Sequence, residues 1–144
     1  MLQITKIFHF EMAHAISGYS GPCKNIHGHS YELHVTLANK ELGNEFIPAP
    51  GFVMDFKDLK RIVKENVIDT WDHKLVLSNE FLFEHPELKD QKNLIQWDPE
   101  PTVENMLIYV LKVISDKLPK GIKLTKLKLH ETKDSYAEWI NDLN

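Results

Sequence analysis

The chain has 144 residues, of which 42% are hydrophobic and 26% charged, and its formal net charge is −4. These values are typical of one soluble globular domain spanning residues 1–144. The negative charge argues against nucleic-acid binding through a general basic surface. No apolar run approaches the roughly 18–20 residues that span a bilayer, so no membrane association is expected. The single cysteine excludes an internal disulfide, and with an amino terminus unlike a signal peptide it predicts a cytoplasmic protein.

Periodicity in the first half of the chain predicts two strands and a helix. In chain order the segments are a strand over residues 2–13, a glycine-rich loop over 17–28, a strand over 30–37, a polar connection over 39–51 and a helix from Asp55 to about Asp69. The strands are indicated by alternating apolar and polar side chains, which give each strand one apolar face. The helix is indicated by Asp55 as its N-cap and by Asp58 in its first turn.

The second half predicts a long connection, a helix and two more strands. Residues 71–101 show no clear period and contain Pro86 and Pro99. Thr102 caps a helix with a regular apolar stripe, and strands follow over 123–131 and 136–140. The order ββααββ, with one apolar face on each strand, predicts an α+β fold. Its sheet is expected to have four antiparallel strands, with both helices on one face.

Three histidines form a candidate metal site. His27 and His29 flank Gly28, and in an extended segment residues i and i+2 share a face. His14 continues the apolar parity of the first strand, as His27 and His29 continue that of the second. The three rings are therefore expected on one covered face, where three protein ligands would leave the open position of a catalytic zinc.

Cys23, in the glycine-rich loop, has two possible functions. Its polar neighbours do not resemble a core sequence, and a nearby lysine and metal would favour the reactive thiolate. It could instead be a fourth zinc ligand, which would close the site and make it structural.

The remaining candidates are weaker. Glu131 has the parity of the apolar residues before it, so it either meets a ligand with N–H donors or turns to water. Asp72 and His73 are candidate functional residues only if the fold brings them near Cys23. The other four histidines are interpreted as ordinary polar positions; they are His9, His34, His85 and His130.

Five motifs in this sequence resemble, in the same order, the 6-pyruvoyltetrahydropterin synthase superfamily. They are the Phe-Glu-Met-Ala-His segment ending at His14, the Cys23-Lys24-Asn25-Ile26-His27-Gly28-His29 run, Asp72-His73, Pro-Thr-Val-Glu-Asn at 101–105, and Glu131-Thr132. The similarity covers essentially the whole chain. It implies the tunnelling fold, in which the sheets of several subunits join edge to edge, and a homohexamer of two trimers with active sites between subunits.

The resemblance also implies a function for each candidate residue. His14, His27 and His29 would bind Zn²⁺, and Cys23 would act as general base. His73, oriented by Asp72, would be its relay partner. Glu131 would anchor the N–H groups of a pterin, and in this superfamily it is sometimes also assigned to the relay. Thr102 would line the pterin pocket.

The spacing between Cys23 and His27 indicates a branch of the superfamily. Three intervening residues resemble the bacterial 6-carboxytetrahydropterin synthases, whereas the animal-type pyruvoyl enzymes usually have five. The implied activity is that of a zinc-dependent lyase, which converts 7,8-dihydroneopterin triphosphate to 6-carboxy-5,6,7,8-tetrahydropterin, acetaldehyde and triphosphate for queuosine biosynthesis. The alternatives are 6-pyruvoyltetrahydropterin synthase activity and a non-catalytic, zinc-stabilised pterin-binding module.

Overall fold

A mixed β-sheet forms the centre of the fold. The computed structural model describes residues 1–141, and of Cys23 it describes only the backbone. Within that range the strands are β1 (Gln3–His14), β2 (His27–Asn39), β3 (Lys74–Ser78), β4 (Leu94–Trp97), β5 (Ile122–His130) and β6 (Tyr136–Ile140). Their spatial order is β4-β3-β1-β2-β5-β6.

Helical segments connect these strands. They are α1 (Phe56–Val63), a π-helical turn (Lys64–Ile68), α2 (Asp69–Trp71), α3 (Asn79–Glu84), α4 (Val103–Ser115) and two 3₁₀ turns (Pro22–Lys24 and Pro86–Asp90). Asp55 caps α1 by accepting the backbone N–H of Lys57, and Thr102 caps α4 by accepting that of Asn105, as predicted. None of the helices in the described range is long and apolar enough to cross a membrane.

The β1–β2 hairpin has a continuous antiparallel register. Pairing runs from Gln3 opposite Ala38 to His14 opposite His27, without a bulge. Side chains therefore keep the same alternation along both strands, and the apolar parity of each faces the same side. This face is covered by α1 and α4, and the main core lies between the sheet and these two helices.

The predicted four-stranded antiparallel sheet with two helices on one face is only partly right. β1, β2, β5 and β6 are antiparallel as predicted, but β3 pairs parallel to β1, and β4 parallel to β3. These two strands lie within residues 71–101, which the sequence predicted as a connection. Helix α3 packs on the face opposite α1 and α4, so both faces of the sheet are covered at this end.

The added strands form a second, smaller core. Its buried members are Ala15, Leu75, Leu77, Phe81 and Leu82. Parallel strands covered on both faces have short, continuous apolar runs rather than alternation. The Leu75–Leu77 run is such a segment, which explains why periodicity alone did not identify it.

We expect Leu77→Ala to lower the free energy of unfolding by about 2–5 kcal/mol, because Leu77 is fully buried in the second core. Ile7→Ala, at a position 47% exposed on β1, is the matched control and should change it by less than about 0.5 kcal/mol. Chemical denaturation measures both variants. Equal small effects would mean that β3 and α3 are not packed as described.

Candidate metal and ligand-binding site

Three imidazoles converge at one end of the β1–β2 hairpin. His14 lies directly opposite His27, and His29 follows two residues later on the same face. The ring centroids are 4.6 to 5.1 Å apart, and the Nε2 atoms of His14 and His27 are separated by 3.1 Å. The structure thus brings together the three histidines that the sequence grouped.

Two of the rings are held by backbone carbonyls on their far side. Nδ1 of His14 donates to the carbonyl oxygen of Pro101, and Nδ1 of His27 to that of Asn25, each at 2.7 Å. In a neutral imidazole whose Nδ1 carries the proton, Nε2 has only a lone pair. Two such lone pairs 3.1 Å apart repel each other unless a cation lies between them. Carbonyl-oriented imidazoles of this kind are typical of metal ligands.

His29 supplies a further observation in favour of a metal ion. Its Nε2 atom is buried and makes no hydrogen bond within the described part of the chain. Burial lowers the pKa of His29, which favours the neutral form that binds metals. Tetrahedral zinc, with Zn–N bonds of about 2.0–2.1 Å, would hold its nitrogen ligands about 3.3 Å apart. The observed spacing of His14 and His27 fits this geometry, so the three histidines could hold a metal ion.

Glu131 lies against the same three rings, just after the end of β5. Its Oε1 atom is 3.3 Å from Nε2 of both His14 and His29. Contact with the His14 imidazole, followed by the charges that His29, His14 and His27 carry when protonated, lowers the pKa of Glu131 despite partial burial, and a cation bound by neutral rings would act in the same direction. The carboxylate is therefore ionised at neutral pH, and it faces the site rather than water.

A cavity of about 220 Å³ opens beside this cluster. It is lined by His14, Ile16, Tyr19, Thr102, Val103, Glu104 and Glu131. Thr102, which the sequence analysis placed in the ligand pocket, is thus at its wall, although its hydroxyl oxygen already accepts the N–H of Asn105. The cavity combines an apolar wall with an anionic acceptor, which suits a flat ligand with N–H donors.

Asp72 and His73 form a dyad fixed to the backbone of β1. Asp72 Oδ1 accepts the N–H of Glu11 at 2.9 Å and lies 3.0 Å from Nδ1 of His73. The hydrogen bond from Glu11 is the largest cause of the lowered pKa of Asp72. His73 has a left-handed backbone, with φ of +61°, and its own N–H donates to the Glu11 carbonyl.

The dyad lies on a different cavity from Glu131. The His73 side chain is 79% exposed and lines a space of about 360 Å³ together with Gly28, His29 and Lys74. The structure therefore does not unite His73 with Glu131 and Thr102 in one pocket of a single chain. Cys23 lies in the 3₁₀ turn Pro22–Lys24, which ends three residues before His27. The structure describes the backbone of Cys23 but not its side chain.

Two further groups at the site were not identified from the sequence. One is the Pro101 carbonyl, which orients His14. The other is Tyr31, whose hydroxyl is 3.4 Å from Nδ1 of His14 and whose pKa is raised by burial, so that it stays a neutral phenol. A contact made by a backbone carbonyl cannot be predicted from the residue types in a sequence, because every residue has one. Tyr31 follows His29 by two residues on the same face of β2, so alternation predicts a buried side chain there but not its contact with His14.

Comparison with known proteins identifies relatives over nearly the whole chain. The family described as 6-pyruvoyl tetrahydropterin synthase matches residues 3–141. A 6-carboxy-5,6,7,8-tetrahydropterin synthase from Haemophilus influenzae is 30% identical over 143 residues, covering 96% of this chain and 99% of that protein. A putative 6-carboxy-5,6,7,8-tetrahydropterin synthase from Archaeoglobus fulgidus is 33% identical over 129 residues, covering 90% and 87%.

Solved structures share the fold. An uncharacterized protein from Wolinella succinogenes superposes with a TM-score of 0.74 at 21% identity, covering 98% of both chains. The 6-pyruvoyl tetrahydropterin synthase of Caenorhabditis elegans gives a TM-score of 0.62 at 24% identity, covering 98% of this chain and 96% of that one. With the match over residues 3–141 and the Haemophilus relative, these similarities show that the chain belongs to the 6-pyruvoyl tetrahydropterin synthase family.

Proposed function

We propose that this protein is a zinc-dependent lyase that converts 7,8-dihydroneopterin triphosphate to 6-carboxy-5,6,7,8-tetrahydropterin, acetaldehyde and triphosphate, in the route to queuosine. The observation that carries the proposal is the convergence of three imidazoles beside a cavity that contains an ionised carboxylate. The names of the Haemophilus and Archaeoglobus relatives support this product over 6-pyruvoyl tetrahydropterin.

The metal ligands in this proposal are His14, His27 and His29. Three neutral imidazoles suit Zn²⁺ and leave an open position for the substrate. When bound, the ion supplies Lewis acidity to the oxygen atoms of the substrate side chain. The chain itself keeps His14 and His27 in the ligating tautomer through the Pro101 and Asn25 carbonyls.

Glu131 and Thr102 are proposed to position the pterin. An ionised carboxylate at the cavity wall can accept two N–H donors from a flat heterocycle, and such charge-assisted bonds fix its orientation. Because Oε1 of Glu131 is also close to the ligand nitrogens, a bound pterin would lie next to the metal. Thr102 would act chiefly through α4, whose capped N-terminus forms the opposite wall of the cavity.

Cys23 is proposed as the general base, with Asp72 and His73 as its relay. The Glu11 N–H keeps Asp72 ionised, and the Asp72 carboxylate, 3.0 Å from Nδ1 of His73, orients this imidazole. Placed beside Cys23, the imidazole would exchange a proton with the thiol during the reaction.

The direct test of the proposed reaction is identification of its products. Incubation of the zinc-loaded protein with 7,8-dihydroneopterin triphosphate should release acetaldehyde and 6-carboxy-5,6,7,8-tetrahydropterin in equal amounts, measured by chromatography and mass spectrometry. Formation of 6-pyruvoyltetrahydropterin without acetaldehyde would instead establish the other activity of the family. Binding of the substrate without turnover would indicate a non-catalytic pterin-binding module.

Cys23→Ala should retain the zinc ion of the three-histidine site and lose turnover by at least about 10²-fold, the usual contribution of a general base. His27→Gln is the matched comparison and should lose the ion from the three-histidine site as well as turnover. Metal analysis and the product assay measure both variants. Loss of zinc and of thermal stability together in Cys23→Ala would identify Cys23 as a structural ligand, and full activity would exclude it as the base.

We further propose that the active protein is a homohexamer in which His73 serves the site of a neighbouring chain. The exposed His73 side chain and its separation from the cavity of Glu131 support this arrangement. Among residues 1–141, β4 and β6 are the edge strands of the sheet and have no neighbouring strand on one side; edge-to-edge pairing of subunits would satisfy their outward backbone groups.

Mixed oligomers test the shared site. Cys23→Ala and His73→Ala should each be inactive alone, whereas reassembly of an equal mixture should restore about one quarter of wild-type activity. In an equal mixture, half of the chains carry an intact Cys23 and the other half an intact His73, so about one shared site in four receives both groups. Mixtures that stay inactive, although mass measurements show mixed hexamers, would mean that both groups act within one chain.

A further inference from the structure

A second group of titratable side chains lies on the opposite face of the sheet, away from the three-histidine site. This face of β1, β2 and β5 is not covered by α1 or α4. The register places Glu32 of β2 opposite His9 on β1 and opposite His130 on β5, and His34 follows two residues after Glu32 on the same face. One carboxylate is therefore surrounded by imidazoles on three neighbouring strands.

The distances within this group approach those of a metal site. Nε2 of His34 is 2.7 Å from Oε2 of Glu32, and the rings of His34 and His130 are 5.6 Å apart. One potential ligand atom from each of Glu32, His34 and His130 lies within 4.8 Å of the other two. His9 is farther out, with Nδ1 3.9 Å from Oε1 of Glu32.

His130 is oriented in the same way as the ligands of the first site. Its Nδ1 lies 3.3 Å from the carbonyl oxygen of Thr132, to which it can donate, and this leaves Nε2 as the free lone pair. A cavity of about 350 Å³ adjoins the group and is lined by His9, Ser30, Glu32, His130, Thr132 and Lys133.

We propose that Glu32, His34 and His130 form a second metal site, which binds a divalent transition ion such as Zn²⁺. Two imidazoles and one carboxylate are a common ligand set for such ions, and water would complete the coordination. Binding would draw the three ligand atoms to roughly 3.3 Å from one another, the spacing of a tetrahedral zinc site. Side-chain rotation can supply this movement, because Glu32 and His130 face a cavity rather than the core. The ion would join β2 to β5 and would lie across the sheet from the first site.

This site does not depend on the proposed reaction, so it is best measured where the first site is absent. In the His27→Gln background, zinc-depleted protein is titrated with Zn²⁺ by calorimetry, and bound metal is measured after equilibrium dialysis. We expect one equivalent to remain bound in His27→Gln and none in the double variants with His34→Gln or His130→Gln. His27→Gln with His85→Gln is the matched control and should retain the equivalent, because His85 is an exposed histidine near a lone carboxylate, Glu87.

A second readout is thermal stability, since an ion that binds only the folded state raises the melting temperature. Zn²⁺ should raise the melting temperature of His27→Gln but not that of either double variant. His130 lies at the end of β5, so its variant remains informative if replacement of His34, in the middle of β2, prevents folding. The proposal is wrong if His27→Gln binds no zinc, or if His130→Gln leaves its stoichiometry and melting temperature unchanged.

Discussion

The continuous antiparallel register of β1 and β2 is the constraint on which both candidate sites depend. Because side chains alternate strictly along a strand, this register sends His14, His27 and His29 to the covered face and His9, Glu32 and His34 to the other. Each group combines two side chains two residues apart on β2 with side chains from neighbouring strands. Rigid strands hold such groups more precisely than loops do, which is what metal coordination requires.

The three-histidine cluster and the cavity beside it also depend on the position of α4. Its N-terminal segment is tied to the hairpin by the bond between His14 and the Pro101 carbonyl, and by Glu100, which accepts the backbone N–H of Ser17 at 2.6 Å. The same segment provides Thr102 to the cavity. The run at 101–105 therefore has a physical explanation: it orients the His14 ring, caps the helix and forms a wall of the cavity. The geometry of the three histidines and the shape of the adjacent cavity are thus coupled through one short stretch of backbone.

The sequence predicted the parts of the molecule that local pattern controls. Alternation identified the four antiparallel strands, and parity correctly placed the three histidines on one face. For Glu131, parity left open whether the carboxylate meets a ligand or turns to water. The β3–β4 pair was missed because short apolar runs buried on both faces carry no alternation. The interpretation of His34 and His130 as ordinary polar positions could not be refined from the sequence, because their proximity depends on how β2 pairs with β5.

The left-handed backbone at His73 affects which residues selection can favour at this position. Such a conformation costs a residue with a side chain of order 1–3 kcal/mol, and glycine would remove most of that cost. A search for heat-resistant forms of the protein would therefore favour glycine here, at the expense of the imidazole. Persistence of histidine at 73 in natural variants would mean that catalysis, rather than folding, maintains it. With His73 in the proposed relay, stability and chemistry would make opposite demands on a single residue.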